Sequence, residues 1–216
     1  MEPLNIAVLA SGGGTNLQAL IDAGASGQFA GQIRVVISNR GNAYALTRAQ
    51  DQGIASEVLR RRDHASDLAY DAALLELLDR YDVDLVVLAG YLRVLTPPVI
   101  QAYRNRIINV HPSLLPAFGG DGMYGAHVHE AVYARGVKVS GATVHFVDEG
   151  TDTGPIILQR AIDLPPQVGP EAIASLVLEV EHQLLPLAVK LYCDGLLQVD
   201  GKHVAILSEP REGTNS

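Results

Sequence analysis

Two side chains able to work on a reacting carbonyl stand two residues apart at the end of an apolar run. In Ile107-Ile108-Asn109-Val110-His111-Pro112, Asn109 offers an amide donor and His111 a titratable imidazole. In extended chain, residues i and i+2 leave the same face. A strand over Arg106 to His111 therefore aims both groups at one point. There an oxygen gaining negative charge could take a hydrogen bond from Asn109 and a second hydrogen bond, or a proton, from His111. Pro112 supports this by disfavouring the helical region for His111. A lone histidine at a strand end is more often an ordinary surface residue, so the pair needs support from elsewhere in the chain.

Three other stretches bear on it. The apolar run Leu4 to Ala10 stops at Ser11-Gly12-Gly13-Gly14, and Leu17, Leu20 and Ile21 then recur at helical spacing, which predicts a strand, a glycine loop and a helix capped by Thr15 or Asn16. Glycines let a backbone approach an anion, and a helix start adds partial positive charge, so Gly12, Gly13, Gly14, Thr15 and Asn16 could cradle a phosphate. The loop is neither a Walker loop nor a dinucleotide fingerprint, which suits a monophosphate better; a tight turn with no ligand explains it equally well. The turn Asp148-Glu149-Gly150-Thr151-Asp152-Thr153-Gly154-Pro155 clusters acids, and one of them folded against His111 would hold the imidazole's orientation. His127 and His129 have a spacing that does not stack them on one helix face, and no partner pattern completes a metal site, so none is expected.

The elements that must position these groups follow from hydrophobic periodicity. Strands are predicted at Leu4 to Ala10, Gln32 to Ser38, Ile54 to Val58, Leu85 to Gly90 and Arg106 to His111, with helices at Thr15 to Ala25, Ala43 to Gln52, around Leu68, Ala72, Leu75 and Leu78, and from Thr96-Pro97-Pro98. Ser140 to Val147 and Ile156 to Ile162 read as a hairpin-like pair. Ala126 to Ala134 reads as helix, Pro170 to Leu191 as a helix punctuated at Pro186, and Leu196 to Val199 with His203 to Leu207 as a small hairpin. Such alternation defines an α/β fold, a single-domain doubly wound, mostly parallel sheet with helices on both faces. If the strands before Gly90 and after Arg106 are parallel, the loop Gly90 to Leu95 and the Asn109–His111 pair share one sheet edge. We expect one catalytic domain over 1–207, a flexible tail over 208–216, and a glycine-rich mobile loop over Gly119 to Gly125.

Composition narrows the function. Sixteen basic against twenty-four acidic residues, a net charge of −8, argue against a broad nucleic-acid-binding face. Arg60-Arg61-Arg62 reads as a solvated loop, and Asn39 to Asn42 as a turn or a ligand loop. The single Cys193 cannot form an internal disulfide and no signal peptide is evident, which points to a reducing cytoplasm. No apolar run approaches the roughly 20 residues that span a bilayer, which excludes membrane insertion.

Three motifs occur in order: Ala10 to Gln18, Asn109-Val110-His111-Pro112-Ser113-Leu114-Leu115-Pro116, and Gly141 through His145-Phe146-Val147 to Asp152-Thr153-Gly154-Pro155. Together, over roughly residues 4 to 205, they resemble the phosphoribosylglycinamide formyltransferases, folate-dependent enzymes of purine synthesis with a Rossmann-like fold. The resemblance implies that the amine of glycinamide ribonucleotide attacks the formyl carbon of 10-formyltetrahydrofolate, the co-substrate, with no metal. It implies Asn109, His111 and Asp152 as the catalytic trio, the substrate phosphate on Gly12 to Asn16, and Glu181 near the ribose hydroxyls. The folate would lie against Leu92, Arg93, Val94 and Leu95, with Asn109 and with Glu149, Gly150, Thr151 and Asp152 facing the pterin. It also makes Leu115-Pro116 a candidate cis peptide.

The chain departs from the shorter members in a longer Gly119 to Gly125 stretch. It also carries Leu178 where relatives often carry a polar or basic residue, which would leave the phosphate more to the glycine loop. A monomer or weak homodimer is expected. The alternatives are a formyltetrahydrofolate deformylase, using water as nucleophile, and a noncatalytic folate- or nucleotide-binding module. A methionyl-tRNA formyltransferase would need a further domain and a basic surface for tRNA.

Overall fold

Seven strands make one sheet because each is an apolar or alternating run bounded by turn residues. In the computed structural model, which describes residues 2–209, they are β1 (Leu4–Ala10), β2 (Gly31–Ser38), β3 (Ala55–Val58), β4 (Leu85–Leu88), β5 (Ile107–His111), β6 (Val139–Phe146) and β7 (Ile156–Asp163). The helices are α1 (Thr15–Ala25), α2 (Tyr44–Asp51), α3 (Asp67–Arg80), α4 (Pro97–Ala102), α5 (Ala126–Arg135) and α6 (Pro170–Cys193). Strand order is β3-β2-β1-β4-β5-β6-β7, parallel from β3 to β5, with β6 antiparallel to β5 and β7 antiparallel to β6. β8 (Leu197–Asp200) and β9 (His203–Ile206) form the separate hairpin. The chain winds outward from β1 to β3 and then resumes at β4 on the other side of β1. Ligand sites in open α/β sheets lie at such a reversal, beyond the carboxyl ends of the strands.

The core has two layers. On one face Ile6, Val8, Val87 and Ile108 pack with Leu17 and Leu20 of α1, Val128 and Val132 of α5, and Leu184 and Leu185 of α6. On the other, Ala7, Leu9, Val86 and Ile107 pack with Tyr70, Leu74 and Leu78 of α3 and Ile100 of α4. β1, β4 and β5 are therefore buried on both faces, as their near-continuous apolar sequences require.

Four expectations are corrected. α1 has no side-chain cap from Thr15 or Asn16: its N-cap is Gly14 at φ 71°. Asn16 instead turns inward to Glu181. The buried stripe of α3 is Tyr70, Leu74, Leu77 and Leu78, while Leu68 and Ala72 face solvent: packing of Tyr70 and the leucines rotates the stripe by about one position and brings Asp71 inward, where the Thr96 hydroxyl donates to it. Pro186 does not break α6, which runs 24 residues through it. That helix is also long and apolar enough to cross a membrane, so the stated reason for excluding a span fails. α6 is a core helix: it packs on β6, α1 and α5, and half of its most apolar stretch is buried in the protein. The expected tail falls, from residue 210 onward, outside the described residues.

Candidate active site

Parallel β4 and β5 bring the 90s loop and the Asn109–His111 pair to one edge, as their sequences predicted. The loop after β1 joins them through Ser11, whose hydroxyl donates to Asn39 Oδ1 at 2.7 Å and accepts from the Leu92 amide at 2.9 Å. One small side chain thus ties together the ends of β1, β2 and β4. A cavity of about 370 Å³ opens over this edge, lined by Asn16, Leu92 to Leu95, Asn109, His111, Gly120 to Gly125, His129, His145, Asp152 and Glu181 among others.

His111 is nearly sealed from solvent, and its ring is held on both sides. Nε2 lies 2.8 Å from the Phe118 carbonyl and Nδ1 lies 3.5 Å from Asp152 Oδ2, so an N–H on either nitrogen has an acceptor. The turn that carries Phe118 is pinned from beneath. Thr143 Oγ1 donates to the Ser113 carbonyl at 2.6 Å and accepts from the Leu115 amide at 3.0 Å, while the Gln159 amide donates to the Leu115 carbonyl at 2.8 Å. The Leu115–Pro116 peptide is cis. Asp152 has φ 58° and accepts the Gly120 amide at 3.0 Å through Oδ2, the oxygen that faces His111.

A fourth polar residue, His145, completes the cluster. Antiparallel register sets it opposite Asn109. Its Nδ1 lies 2.8 Å from the Phe146 carbonyl, so Nδ1 carries the proton and Nε2 accepts from Asn109 Nδ2 at 3.1 Å. Burial lowers the His145 pKa, which keeps the ring neutral and that acceptor available. Asn109 spends one amide hydrogen on His145, and the other, with its carbonyl oxygen, remains for the cavity. His145 stands in the third sequence motif, but the sequence assigned it no role, since its partner is set by register across 36 residues.

The rest of the expected site divides. Asn16 Nδ2 donates to Glu181 Oε2 at 2.6 Å, and both line the cavity. Burial pushes the Glu181 carboxyl up to about 7, against the Asn16 hydrogen bond that favours its charged form. Gly12, Gly13, Gly14 and Thr15 do not line this cavity; Thr15 faces a neighbouring depression with Gln18, Arg48 and His182. A Cβ at Gly12 or Gly13 would meet nothing within 4 Å, so open space lies beside that backbone.

Leu92, Arg93, Val94 and Leu95 all line the cavity, as do Gly150, Thr151 and Asp152, but Glu149 does not. Its carboxylate pairs with Arg104 in the turn after α4; its own backbone amide and Arg104 hold its pKa below the usual range. Of the Gly119 to Gly125 stretch, Gly120 to Gly125 line the wall, and the stretch is joined to the acidic turn by Thr151 Oγ1 donating to Asp121 Oδ1 at 3.0 Å. His127 points to solvent beside Glu130, whereas His129 is buried at the wall.

Fold and site together define a doubly wound α/β enzyme with an amide, an imidazole and a carboxylate gathered at the switch point of its sheet. The chain belongs to the formyl transferase family, whose model matches residues 4–189. It is 39% identical over 196 residues to the phosphoribosylglycinamide formyltransferase of Escherichia coli K12, covering 91% of this chain and 90% of that one. Its fold matches glycinamide ribonucleotide transformylase 1 from Symbiobacterium toebii with a TM-score of 0.91 at 43% identity, covering 96% of this chain and 95% of that one. A formyltetrahydrofolate deformylase from Pseudomonas syringae pv. tomato matches with a TM-score of 0.85 at 25% identity, covering 95% of this chain but 66% of that one.

Proposed function

We propose that this enzyme transfers the formyl group of 10-formyltetrahydrofolate to the amine of glycinamide ribonucleotide, in a purine-building step in a reducing cytoplasm, as a monomer or weak homodimer. The observation that carries the reading is the convergence of Asn109, His111 and Asp152 on one cavity with the Asn16–Glu181 pair. The amine nitrogen attacks the formyl carbon, a C–N bond forms, and the carbonyl electrons move onto oxygen. Asn109 donates its second amide hydrogen to that oxygen, with His145 holding the amide in place.

His111 has Nε2 engaged by the Phe118 carbonyl, which leaves the Nδ1 edge, toward Asp152, for proton traffic. The ammonium formed by attack loses its proton toward Asp152. Asp152 passes that proton to Nδ1 of His111, and the nitrogen of the folate takes it from there as its bond to the formyl carbon breaks. The net result is one proton moved from attacking to leaving nitrogen, with no covalent enzyme intermediate. The phosphate rests on the amides of Gly12 to Asn16, Glu181 accepts from the ribose hydroxyls, and Leu92 to Leu95 with Gly150 to Asp152 border the folate. Glu149, turned to Arg104, is left out of the pterin contacts.

Incubating the purified protein with both substrates tests this. Formylated ribonucleotide and tetrahydrofolate should appear in equal amounts. Formate release without formylated product would establish the deformylase instead, a reading kept open by the match to such an enzyme at 25% identity. Binding of both ligands without turnover would establish a noncatalytic module.

A further inference from the structure

Helix α5 brings to the cavity one polar side chain that the mechanism above does not use. His129 is 7% exposed, lines the cavity, and has an Nδ1 that is buried without a hydrogen-bond partner among the described residues. Buried polar atoms are almost always paired, because an unpaired one forfeits its hydration for nothing. One that persists at the wall of a ligand-sized cavity is explained when the ligand, or the loop that settles on it, supplies the missing partner.

The topology says which ligand. Val128 and Val132, on either side of His129 in α5, pack into the same layer as Leu184 and Leu185 of α6 and Leu17 of α1. Tyr91 and Leu95 belong to the layer on the opposite face of the sheet. His129 therefore enters the cavity from the sheet face that carries α1 and α6, the helices of Asn16 and Glu181, and not from the face on which Tyr91 and Leu95 pack. Burial lowers the His129 pKa, and the neighbouring His111 lowers it further. A neutral ring has one N–H and one acceptor nitrogen, which suits hydroxyl and amide groups rather than an anion. α5 also begins at Gly125 with no side-chain cap, and the loop before it, Gly120 to Gly125, lines the same cavity.

We propose that His129 is a substrate-contacting residue specific to the amine-bearing ribonucleotide, its ring hydrogen-bonding the glycinamide or ribose portion beside Glu181. The assignment rests on the formyl-transfer reading above. It predicts an unusual pairing of effects: the residue binds substrate yet does not stabilise the empty protein.

Three variants test it, with KM measured separately for each substrate and melting followed without ligand. His129→Leu should raise the KM for glycinamide ribonucleotide roughly tenfold, the loss of about one hydrogen bond. The KM for 10-formyltetrahydrofolate should stay within about twofold and the melting temperature should hold or rise. Part of the lost affinity should return in His129→Asn, whose amide reaches the Nδ1 position, or in His129→Gln, whose amide reaches Nε2. A ribonucleotide KM unchanged in His129→Leu, an equal rise for the folate, or isosteres that restore melting but not KM would overturn the proposal and leave His129 a structural residue. Calorimetric titration of glycinamide ribonucleotide without folate separates the two readings. A protein that binds the ribonucleotide through His129 yet transfers no formyl group sinks the formyl-transfer assignment alone, whereas a protein that formylates normally without His129 sinks this one alone.

Discussion

Asn109 does nothing by itself: an amide in a flexible environment rotates, and a rotated amide presents oxygen where the mechanism needs a donor. The neutral His145 ring removes that freedom by accepting one amide hydrogen at 3.1 Å. Asn109→Ala should therefore lower kcat roughly 100- to 1000-fold while KM moves little, the signature of an interaction made in the transition state. Steady-state kinetics decides this, and an affinity loss with turnover intact would remove Asn109 from the oxyanion role. His111→Ala and Asp152→Ala should behave alike, since each shares the same proton.

Glu181 makes the residue-scale pH argument. Its carboxyl titrates near 4.5 when free and is raised by burial to about 7 in the folded protein. The folded state therefore holds that proton more tightly than the unfolded chain, and the associated stability is fully present below the free value and is lost as pH rises through about 7. Glu181→Gln has no such loss. The variant should gain on the order of 3 kcal/mol over the parent at mildly alkaline pH, with the gap closing in acid, as read by denaturant melts at several pH values. A gap that widened on acidification would contradict the assigned direction.

Among elements, the glycine loop after β1 shows why identity at a single backbone position matters. Gly14 combines φ 71° with the absence of room, since a Cβ there would sit 2.8 Å from the backbone of Ala45 in α2. Gly14→Ala must strain the backbone and push α2 away, which should cost about 2–4 kcal/mol in unfolding experiments. Gly12 and Gly13 carry no such packing demand, so a side chain there should leave stability nearly intact and act on phosphate binding instead. The sequence showed that a strand, a loop and a helix followed one another. It could not separate the glycine that the fold requires from those beside open space, because Ala45 lies 31 residues away in the chain and its approach depends on how α2 packs.

For the whole molecule, the two apolar layers share one sheet, and β1, β4 and β5 contribute side chains to both. Losing either layer exposes strands that the other needs. We expect unfolding in denaturant to show one transition, with far-ultraviolet circular dichroism and the signals of the eight tyrosines coinciding. Two separated transitions would show that the layers are independent. The same sheet explains how much of the site could be read in advance. Period-two and period-3.6 patterns, with their Gly and Pro punctuation, are local, so the sequence alone determined the elements, the doubly wound class and the Asn109–His111 pair on one strand face.

What tertiary structure decided was every relation between distant residues. Strand register put His145 against Asn109, and the Asn16–Glu181 hydrogen bond spans 165 residues. The packing of α3 turned Asp71 inward and Leu68 out, an ion pair drew Glu149 to Arg104, and the packing of α5 gave His129 its place at the cavity wall. Each of these depends on which surfaces meet when the sheet closes, a global minimum over competing contacts that no local window of residues contains.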